Sequence, residues 1–585
     1  MNFPISQRHF DILIIGSGGA GLSAALAAID AGVKSIAVVS KVVPGNSHTV
    51  AAKGGINAAL GNVSNDDWKW HAYDTLKGSD YLADTDAVEV LCQQAKSAII
   101  DLEKMGVVFS RQSEGKIAQR AYGGQTTNFG QGDVAYRACY SKDKTGHTIL
   151  HSLHEQALKY GVKFFCEFFV TDLLIEEQKQ CHGCVAVDLN NGELVIFTAQ
   201  TTILATGGYS QIYQNTTSSL ICTGDGTALA FKEGLPLQDM EFVQFHPTGI
   251  HGNGFLITEA ARGEGAYLLN STGERFMKNY APKMLELASR DVISQAMAIE
   301  IHQGRGCGKN GDFLYLDLRH LSDEILINKL PGVVELVKNF ARLDVKKDLI
   351  PVAPSAHYSM GGIPCDLNCE VITGLLAIGE AACLSVHGAN RLGCNSLLDL
   401  IVFGKIAGKY AAKKSSSKIS PIVQKIAEEK IANLKSLFGK NSHNIKLSEL
   451  KKALQENNEK HLGVFRDQEL LENGLGKTRQ LLAQLQNYRI ENHSLWWNDE
   501  LVAYFELQYL FLNSLAANFA ALNRKESRGA HYRSDFKTRD DQNFLAHSLV
   551  KLSNGDWQNP EFSLKAVRSN STIPELNQAP KLRTY

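Results

Sequence analysis

The run from Phe10 to Ala31 restricts the fold of this chain more than any other feature. Phe10-Asp11-Ile12-Leu13-Ile14-Ile15 is an apolar segment of strand length that leads directly into Gly16-Ser17-Gly18-Gly19-Ala20-Gly21. An alanine-rich helical stretch follows to Ala31, Gly32 closes it, and Ser35 to Ser40 supplies a second strand. Strand, glycine turn, helix and strand within about thirty residues make a βαβ unit. Glycines at the turn let backbone N–H groups approach a pyrophosphate, and the helix N-terminus adds unpaired donors and the positive end of its dipole. A GxGxxG spacing alone is weak evidence; here the flanking elements fall where a dinucleotide site needs them. The second strand ends in Ser40-Lys41 rather than in the acidic residue that normally takes the ribose hydroxyls, so the ribose contact stays unassigned.

Two later segments have the same character. Thr201 to Leu204 runs into Thr206-Gly207-Gly208, and Leu375 to Ile378 runs into Gly379-Glu380-Ala381-Ala382. Both are expected to return to the first sheet, which makes one nucleotide-binding domain interrupted by inserted segments. The full 585 residues exceed what one core holds, since single cores stop growing near roughly 250–300 residues. From about Lys414 to Ala521 the sequence turns rich in Lys, Glu, Leu and Gln with apolar residues at helical spacing, which predicts a separate helical domain. Beyond it, scattered prolines and mixed charge predict an irregular tail packed on the body. The one low-complexity tract is Ser415-Ser416-Ser417.

Composition narrows the function. Hydrophobic residues make up 44% and charged residues 21%, the balance of a globular protein. Lys plus Arg number 60 against 61 Asp plus Glu, so no global field recruits nucleic acid, and any anion site must be built locally. No apolar run reaches the roughly 20 residues of a membrane span, and the first ten residues lack signal and transit patterns. The expected location is cytoplasmic, with membrane contact only through partners. Eleven scattered cysteines suggest reduced thiols. Cys181-His182-Gly183-Cys184 is the only CxxC, lies between strand-like runs and reads as structural, and no cluster-spaced cysteines mark an iron–sulfur centre or other metal site.

Several segments combine His, Arg and Gly beyond what a core requires. Gln244-Phe245-His246-Pro247-Thr248-Gly249 sets an imidazole before a proline, in a locally extended turn. Thr258-Glu259-Ala260-Ala261-Arg262-Gly263 spaces a carboxylate and a guanidinium to pair if helical. Ser289-Arg290-Asp291 opens a helix-like run, and Ala356-His357-Tyr358-Ser359-Met360-Gly361-Gly362 and His387-Gly388-Ala389-Asn390-Arg391-Leu392-Gly393 complete the set. Two arginines and two histidines beside glycines suit a dianion, because guanidinium groups bind carboxylates bidentately. A small dicarboxylate is the implied substrate.

At these residues the chain resembles the flavoprotein subunits of succinate dehydrogenase and fumarate reductase. The likeness runs from about Phe10 to Asn543 and includes Asn46-Ser47-His48-Thr49, Lys77-Gly78-Ser79-Asp80, Thr145-Gly146-His147, Thr223-Gly224-Asp225-Gly226, the segments just quoted, and Ser527-Arg528-Gly529-Ala530-His531. It implies an α/β fold: a Rossmann-like FAD-binding domain (1–238 and 353–413) interrupted by a capping domain (239–352), then a helical domain (414–525) and a C-terminal domain (526–585). It further implies FAD bonded covalently through His48, and interconversion of succinate and fumarate by hydride transfer. On the substrate side it points to His246, Thr258, Glu259, His357 and Arg391, with Arg290 as proton donor and Arg262 behind it. An arginine with a pKa above about 12 needs a relay through Glu259 and Arg262. On the cofactor side it points to Gly16, Gly18, Gly19, Ala20, Gly21, Ser40, Lys41, Ser47, Thr49, Gly54, Gly55, Asp225, Glu380, Arg391, Ser396 and Leu397.

The partners implied are an iron–sulfur subunit, membrane anchor subunits that hold the assembly on the cytoplasmic face of the inner membrane, and a flavinylation assembly factor. The alternatives are an L-aspartate oxidase-like enzyme, which holds FAD without a covalent bond, and a non-catalytic subunit of the same fold. The chain departs from the family pattern at Lys53, where relatives usually carry Gln or Glu, at Tyr122, where many carry Phe, and at Asn46, where Arg commonly precedes Ser-His-Thr. Ile363 to Gly374 looks fumarate-reductase-like and Trp68 to Asp80 dehydrogenase-like, so the physiological direction stays open.

Overall fold

Isoleucine and valine drive the first strands together. Ile5–Ile15 pairs in parallel with Ile36–Ser40, from Ile12↔Ile36 to Ile15↔Val39, and the helix Gly19–Asp30 connects them. The computed structural model describes residues 3–414, 422–440, 446–577, 579–581 and 583; Ser415-Ser416-Ser417 lie outside the described residues. The first strand begins five residues before the apolar run because Ile5 to Phe10 pair along Leu194 to Ala199 of the strand Glu193–Leu204. Backbone pairing, rather than burial, extends it.

Both later glycine-ended strands return to this sheet, as expected. Its order is Glu370–Ile372, Leu375–Ala377, Glu193–Leu204, Ile5–Ile15, Ile36–Ser40 and Lys163–Cys166, with Leu375 opposite Thr202. All the central pairings are parallel, and Phe168–Glu176 and Gln180–Asp188 extend Glu193–Leu204 on an antiparallel branch. The α/β class follows. Cys181 and Cys184 are buried on that branch.

Two helices lie close enough to present their N-termini together. A Cβ at Gly404 would stand 2.8 Å from the Ala20 carbonyl, and one at Gly408 2.2 Å from that of Ala24. The helix Asn395–Lys414 therefore packs directly on Gly19–Asp30.

A second hydrophobic cluster draws on Ile250 to Val352. It covers a four-stranded antiparallel sheet ordered Val243–Ile250, Ile350–Ser359, Leu314–Asp317, Tyr267–Leu269. The helix Arg290–Glu300 is fastened to that sheet where the Ser294 hydroxyl donates to the Phe245 carbonyl at 2.9 Å. The helices Ile422–Ser436, Leu447–His461, Gln468–Gln486 and Asp499–Asn523 share the core of the large sheet, as where Tyr509 stacks on Phe169 at 6.2 Å. No helix of the described residues is long and apolar enough to cross a membrane.

The last segment is more ordered than its composition suggests. Ala546–Lys551 and Glu561–Ala566 form a hairpin that adds to Leu237–Gln238. Apolar alternation missed it because its inner face buries His547 and Ser548 on charged partners beside the one apolar Val550. Arg524 pairs with Glu241 at 2.5 Å and Glu526 at 2.9 Å, and Arg528 pairs with Glu526 at 2.8 Å, all with side chains at 0% exposure. His547 lies between Asp239 (2.7 Å) and Asp84 (3.2 Å).

Burial alone would lower the His547 pKa, but Asp239 and then Asp84 raise it from the ordinary 6.5 to about 9. A raised folded-state value means that protonation stabilises the fold: the contribution is complete below pH 6.5 and lost as pH rises through 9. Breaking such a buried pair costs about 3–5 kcal/mol. Denaturant unfolding of wild type and His547→Gln is expected to differ most near pH 6 and to converge above pH 9; a pH-independent gap contradicts the assignment.

Candidate functional site

A cavity of about 530 Å³ opens at the carboxyl ends of the parallel strands, where open α/β sheets place their ligands. One end is the glycine turn. Gly16 takes φ +113°, and a Cβ there would stand 2.2 Å from the Ala205 carbonyl. Gly21 serves packing instead: its Cβ would lie 2.1 Å from the Gly16 carbonyl, so it holds helix to strand without reaching the cavity. Gly16, Gly18, Gly19 and Ala20 line the wall, with Ser40, Lys41, Ser47, His48, Thr49, Gly54, Gly55 and Asp225 around them. Glu380, Ser396 and Leu397 reach the same wall from the last strand and the helix that follows it.

At the end of the second strand, Lys41 bonds to Asp225 at 3.0 Å, to Glu506 at 2.7 Å and to the Thr223 hydroxyl at 2.7 Å. Burial alone would lower the Lys41 pKa; Asp225 and Glu506 hold it above its ordinary value. Ser17 donates to the Ser40 hydroxyl at 2.9 Å. The Ser47 hydroxyl is buried with no hydrogen-bond partner among the described residues. Glycines that admit no Cβ and an orphaned hydroxyl on the wall fit a bound dinucleotide.

His48 sits in the short turn His48–Ala51, and its Nδ1 accepts the Ser219 backbone N–H at 3.3 Å. Its surroundings desolvate the ring and lower its pKa to about 4, so the imidazole is neutral at pH 7. With Nδ1 occupied as an acceptor, the neutral ring carries its proton on Nε2, the nitrogen that makes no hydrogen bond among the described residues.

Two irregular strands build the other end. Where Val243–Ile250 meets Ile350–Ser359, the register shifts between His246 and Gly249 and again between Gln244 and Phe245. The first shift accommodates Pro247, which cannot donate to the ladder; the segment expected as a turn is a bulged strand for that reason. The second gives an extra residue, His357, to the opposite strand. The two histidines thus approach each other, ring centroids 5.1 Å apart. The Thr248 N–H donates to His246 Nδ1 at 3.2 Å, and Thr217 Oγ1 lies 2.7 Å from His357 Nδ1.

Arginines enter from three elements. Arg290 begins the helix Arg290–Glu300, Arg262 lies on the short helix Ala260–Gly263, and Arg391 precedes the helix Asn395–Lys414. Arg290 Nε donates to Glu259 at 3.0 Å, Gly123 N donates to the other Glu259 oxygen at 3.1 Å, and Arg262 approaches Glu259 at 3.8 Å. Arg290 Nη1 donates to Gln244 at 2.9 Å, while its Nη2 makes no hydrogen bond among the described residues. Arg391 lies over the Tyr358 ring at 4.4 Å and donates to Ser396 at 3.1 Å.

Thr258, Glu259, Arg290, His246, His357 and Arg391 all line the same cavity as the glycine turn, while Arg262 lies behind Glu259. Burial, then Arg290, keep His246 and His357 well below the ordinary imidazole range. Against the raising effect of burial, Arg290 and Arg262 hold Glu259 ionised. Burial and the charge of Arg290 lower Arg391 to about 10. Burial raises Glu380 to about 7, with Ser359 N donating to it at 2.9 Å. The result is a buried, cationic pocket with neutral imidazoles, suited to a dianion.

Two contacts escaped the sequence reading. Glu506 on Lys41 is distant in sequence and carries no local signal. Gln244 stands inside a quoted motif, but an amide has no titration or metal signature to mark it.

A glycine turn at the carboxyl edge of a parallel sheet, facing an arginine pocket, defines a dinucleotide-binding protein with an anion site in the same cavity. Residues 11–397 match the family model described as FAD binding domain, and residues 451–585 match that described as fumarate reductase flavoprotein C-term. The chain is 49% identical over 566 residues to the succinate dehydrogenase flavoprotein subunit of Rickettsia conorii, covering 94% of each. It is 42% identical over 555 residues to the 8-methylmenaquinol:fumarate reductase flavoprotein subunit of Wolinella succinogenes, covering 93% of this chain and 89% of the relative. A solved E. coli quinol fumarate reductase chain superposes with a TM-score of 0.92 at 36% identity, covering 97% of this chain and 98% of that one. The chain belongs to the succinate dehydrogenase and fumarate reductase flavoprotein family, and these matches favour that reading over the aspartate-oxidase-like one.

Lys53 and Tyr122, which the sequence singles out as expected departures from the family pattern, also line the cavity. The Tyr122 hydroxyl donates to the Gly54 carbonyl at 3.0 Å, and burial lowers the Lys53 pKa. Lys53→Gln and Tyr122→Phe are expected to change the ratio of succinate-oxidation to fumarate-reduction rates, measured with dyes of opposite potential. An unchanged ratio removes both residues from control of direction.

Proposed function

We propose that the chain interconverts succinate and fumarate as the catalytic flavoprotein subunit of a quinone-linked complex, with FAD bonded to Nε2 of His48. The observation that carries this reading is a single cavity running from Gly16 to Arg290 and Arg391. In this reading residues 1–238 and 353–413 bind FAD, 239–352 cap the site, and 414–525 and 526–585 are the helical and C-terminal domains. When bound, FAD supplies the hydride acceptor and donor.

The chain's own residues do the rest. Arg391, His246 and His357 bind and orient the two carboxylates, with Thr258 beside them on the wall. Neutral His246 accepts at Nδ1 from Thr248, so its proton is on Nε2, where it donates to substrate oxygen. Arg290 is held by Glu259 and Gln244 through Nε and Nη1, which leaves Nη2 to move a proton at the carbon next to the one that exchanges hydride. Glu259 and Arg262, in line behind it, reprotonate the guanidinium. Burial of the whole cluster excludes water and strengthens each charge interaction.

The His48 turn supports covalent attachment because its neutral ring is already oriented by the Ser219 N–H; a bond at Nε2 would replace the proton that this nitrogen carries. Electrons then leave through an iron–sulfur subunit, with anchor subunits holding the assembly at the cytoplasmic face of the inner membrane and a flavinylation factor assisting attachment.

Two measurements test the reading. Acid-denatured wild type is expected to retain flavin fluorescence on a denaturing gel, and His48→Ser to lose it; free flavin in both contradicts the bond. Arg290→Gln is expected to keep its flavin and lose about 10²–10⁴-fold in kcat in both directions; near-wild-type turnover removes Arg290 from proton transfer.

A further inference from the structure

Two like-charged guanidinium groups share a buried wall, and one neutral side chain joins them. Gln244 Oε1 accepts from Arg290 Nη1 at 2.9 Å and from Arg391 Nη2 at 3.1 Å. Its Nε2 donates to Asn390 Oδ1 and to the Arg391 carbonyl, both at 2.8 Å. Both amide protons and both lone pairs of the carbonyl are therefore used, and a flipped amide would turn donors toward two cations. Gln244 is 0% exposed and stands behind the residues that face substrate. Its position is set by the strand irregularity between Gln244 and Phe245, opposite Tyr358.

The two arginines come from different parts of the molecule. Arg290 belongs to the helix packed on the smaller sheet, and Arg391 to the loop before the helix Asn395–Lys414. Without a shared acceptor, desolvated like charges separate, and each loses a charge-assisted bond worth more than a neutral one.

We propose that Gln244 is a positioning residue for the reaction: its single carbonyl oxygen sets the spacing between the proton-transferring Arg290 and the carboxylate-binding Arg391. This rests on the roles given to those arginines above. Gln244 touches neither substrate nor cofactor and acts through both guanidinium groups.

Gln244→Met keeps the shape and removes the acceptor. Its kcat is expected to fall about tenfold to a hundredfold, with flavin content and malonate affinity changed much less. Gln244→Glu restores an oxygen acceptor and adds negative charge, so it is expected to recover part of that kcat and to move the alkaline limb of kcat/KM to higher pH. The groups facing Arg391 are Arg290 from the helix of the smaller sheet, Tyr358 and His357 from Ile350–Ser359, Glu380 from the turn after the last strand, His246 from Val243–Ile250, and Cys394 and His387 from its own loop. Burial and Arg290 already lower Arg391 to about 10, so added negative charge at Gln244 acts upward. A merely structural glutamine would move stability without moving that limb.

The proposal is overturned by wild-type kcat in Gln244→Met, or by equal losses in Met and Glu variants with an unmoved alkaline limb. Should Gln244→Met fail to retain flavin, the limb of Gln244→Glu decides alone. Arg391→Gln serves as the control: full activity there overturns the arginine roles themselves, whereas an inactive Arg391→Gln beside a fully active Gln244→Met overturns only this inference.

Discussion

One carboxylate holds the reactive end of the molecule together. Glu259 receives Arg290 at 3.0 Å and lies 3.8 Å from Arg262, and Arg391 stands nearby with no carboxylate of its own within hydrogen-bond distance among the described residues. Taking such ions out of water costs several kcal/mol each. With three guanidinium groups around Glu259, and with burial raising the only other glutamate on the wall among the described residues, Glu380, to about 7, the pocket is short of negative charge, and a dicarboxylate supplies what is missing. Burial first, and then the same cations, keep His246 and His357 neutral. Catalysis then draws on electrostatics that are in place before substrate arrives.

The fold earns this arrangement by local irregularity on regular frames. Two shifts of register in one strand pair bring His246 and His357 together, and a proline accounts for one of them. Gly404 and Gly408 let one helix lie on another so that Ser396 and Leu397 reach the cavity that the glycine turn opens. Farther away, a buried network of Arg524, Arg528, Glu241, Glu526, Asp239 and His547 fixes the strand at Ala546–Lys551 to the segment leading into Val243–Ile250. Charge pairing thus does at the periphery what apolar packing does in the sheet.

The dinucleotide end was legible in sequence because its requirements are local. A turn that admits no side chain must be glycine, and the strands around it must be apolar. The return of Glu193–Leu204 and Leu375–Ala377 to the first sheet followed from the same pattern. The dianion pocket was legible as composition: His246, Glu259, Arg290, His357 and Arg391 stood out as residues that a core does not need. Their individual roles came from family resemblance, since spacing alone distinguishes neither a proton donor from a clamp nor His48 from other histidines. Pairings across long sequence separations had no signal. Glu506 on Lys41, the hairpin held by His547 and the bridge at Gln244 depend on contacts that only the folded chain displays.

The central claim is that flavin and dicarboxylate share one cavity in which Arg391 binds the acid. Titrating the oxidised, flavin-loaded protein with malonate, which cannot be oxidised to an alkene, while recording the visible flavin spectrum tests this directly. The account predicts a saturable perturbation of the flavin bands by malonate, none by acetate at the same concentration, and loss of the malonate response in Arg391→Gln with flavin still bound. A spectrum indifferent to malonate, or an Arg391→Gln protein that responds as wild type does, would contradict it.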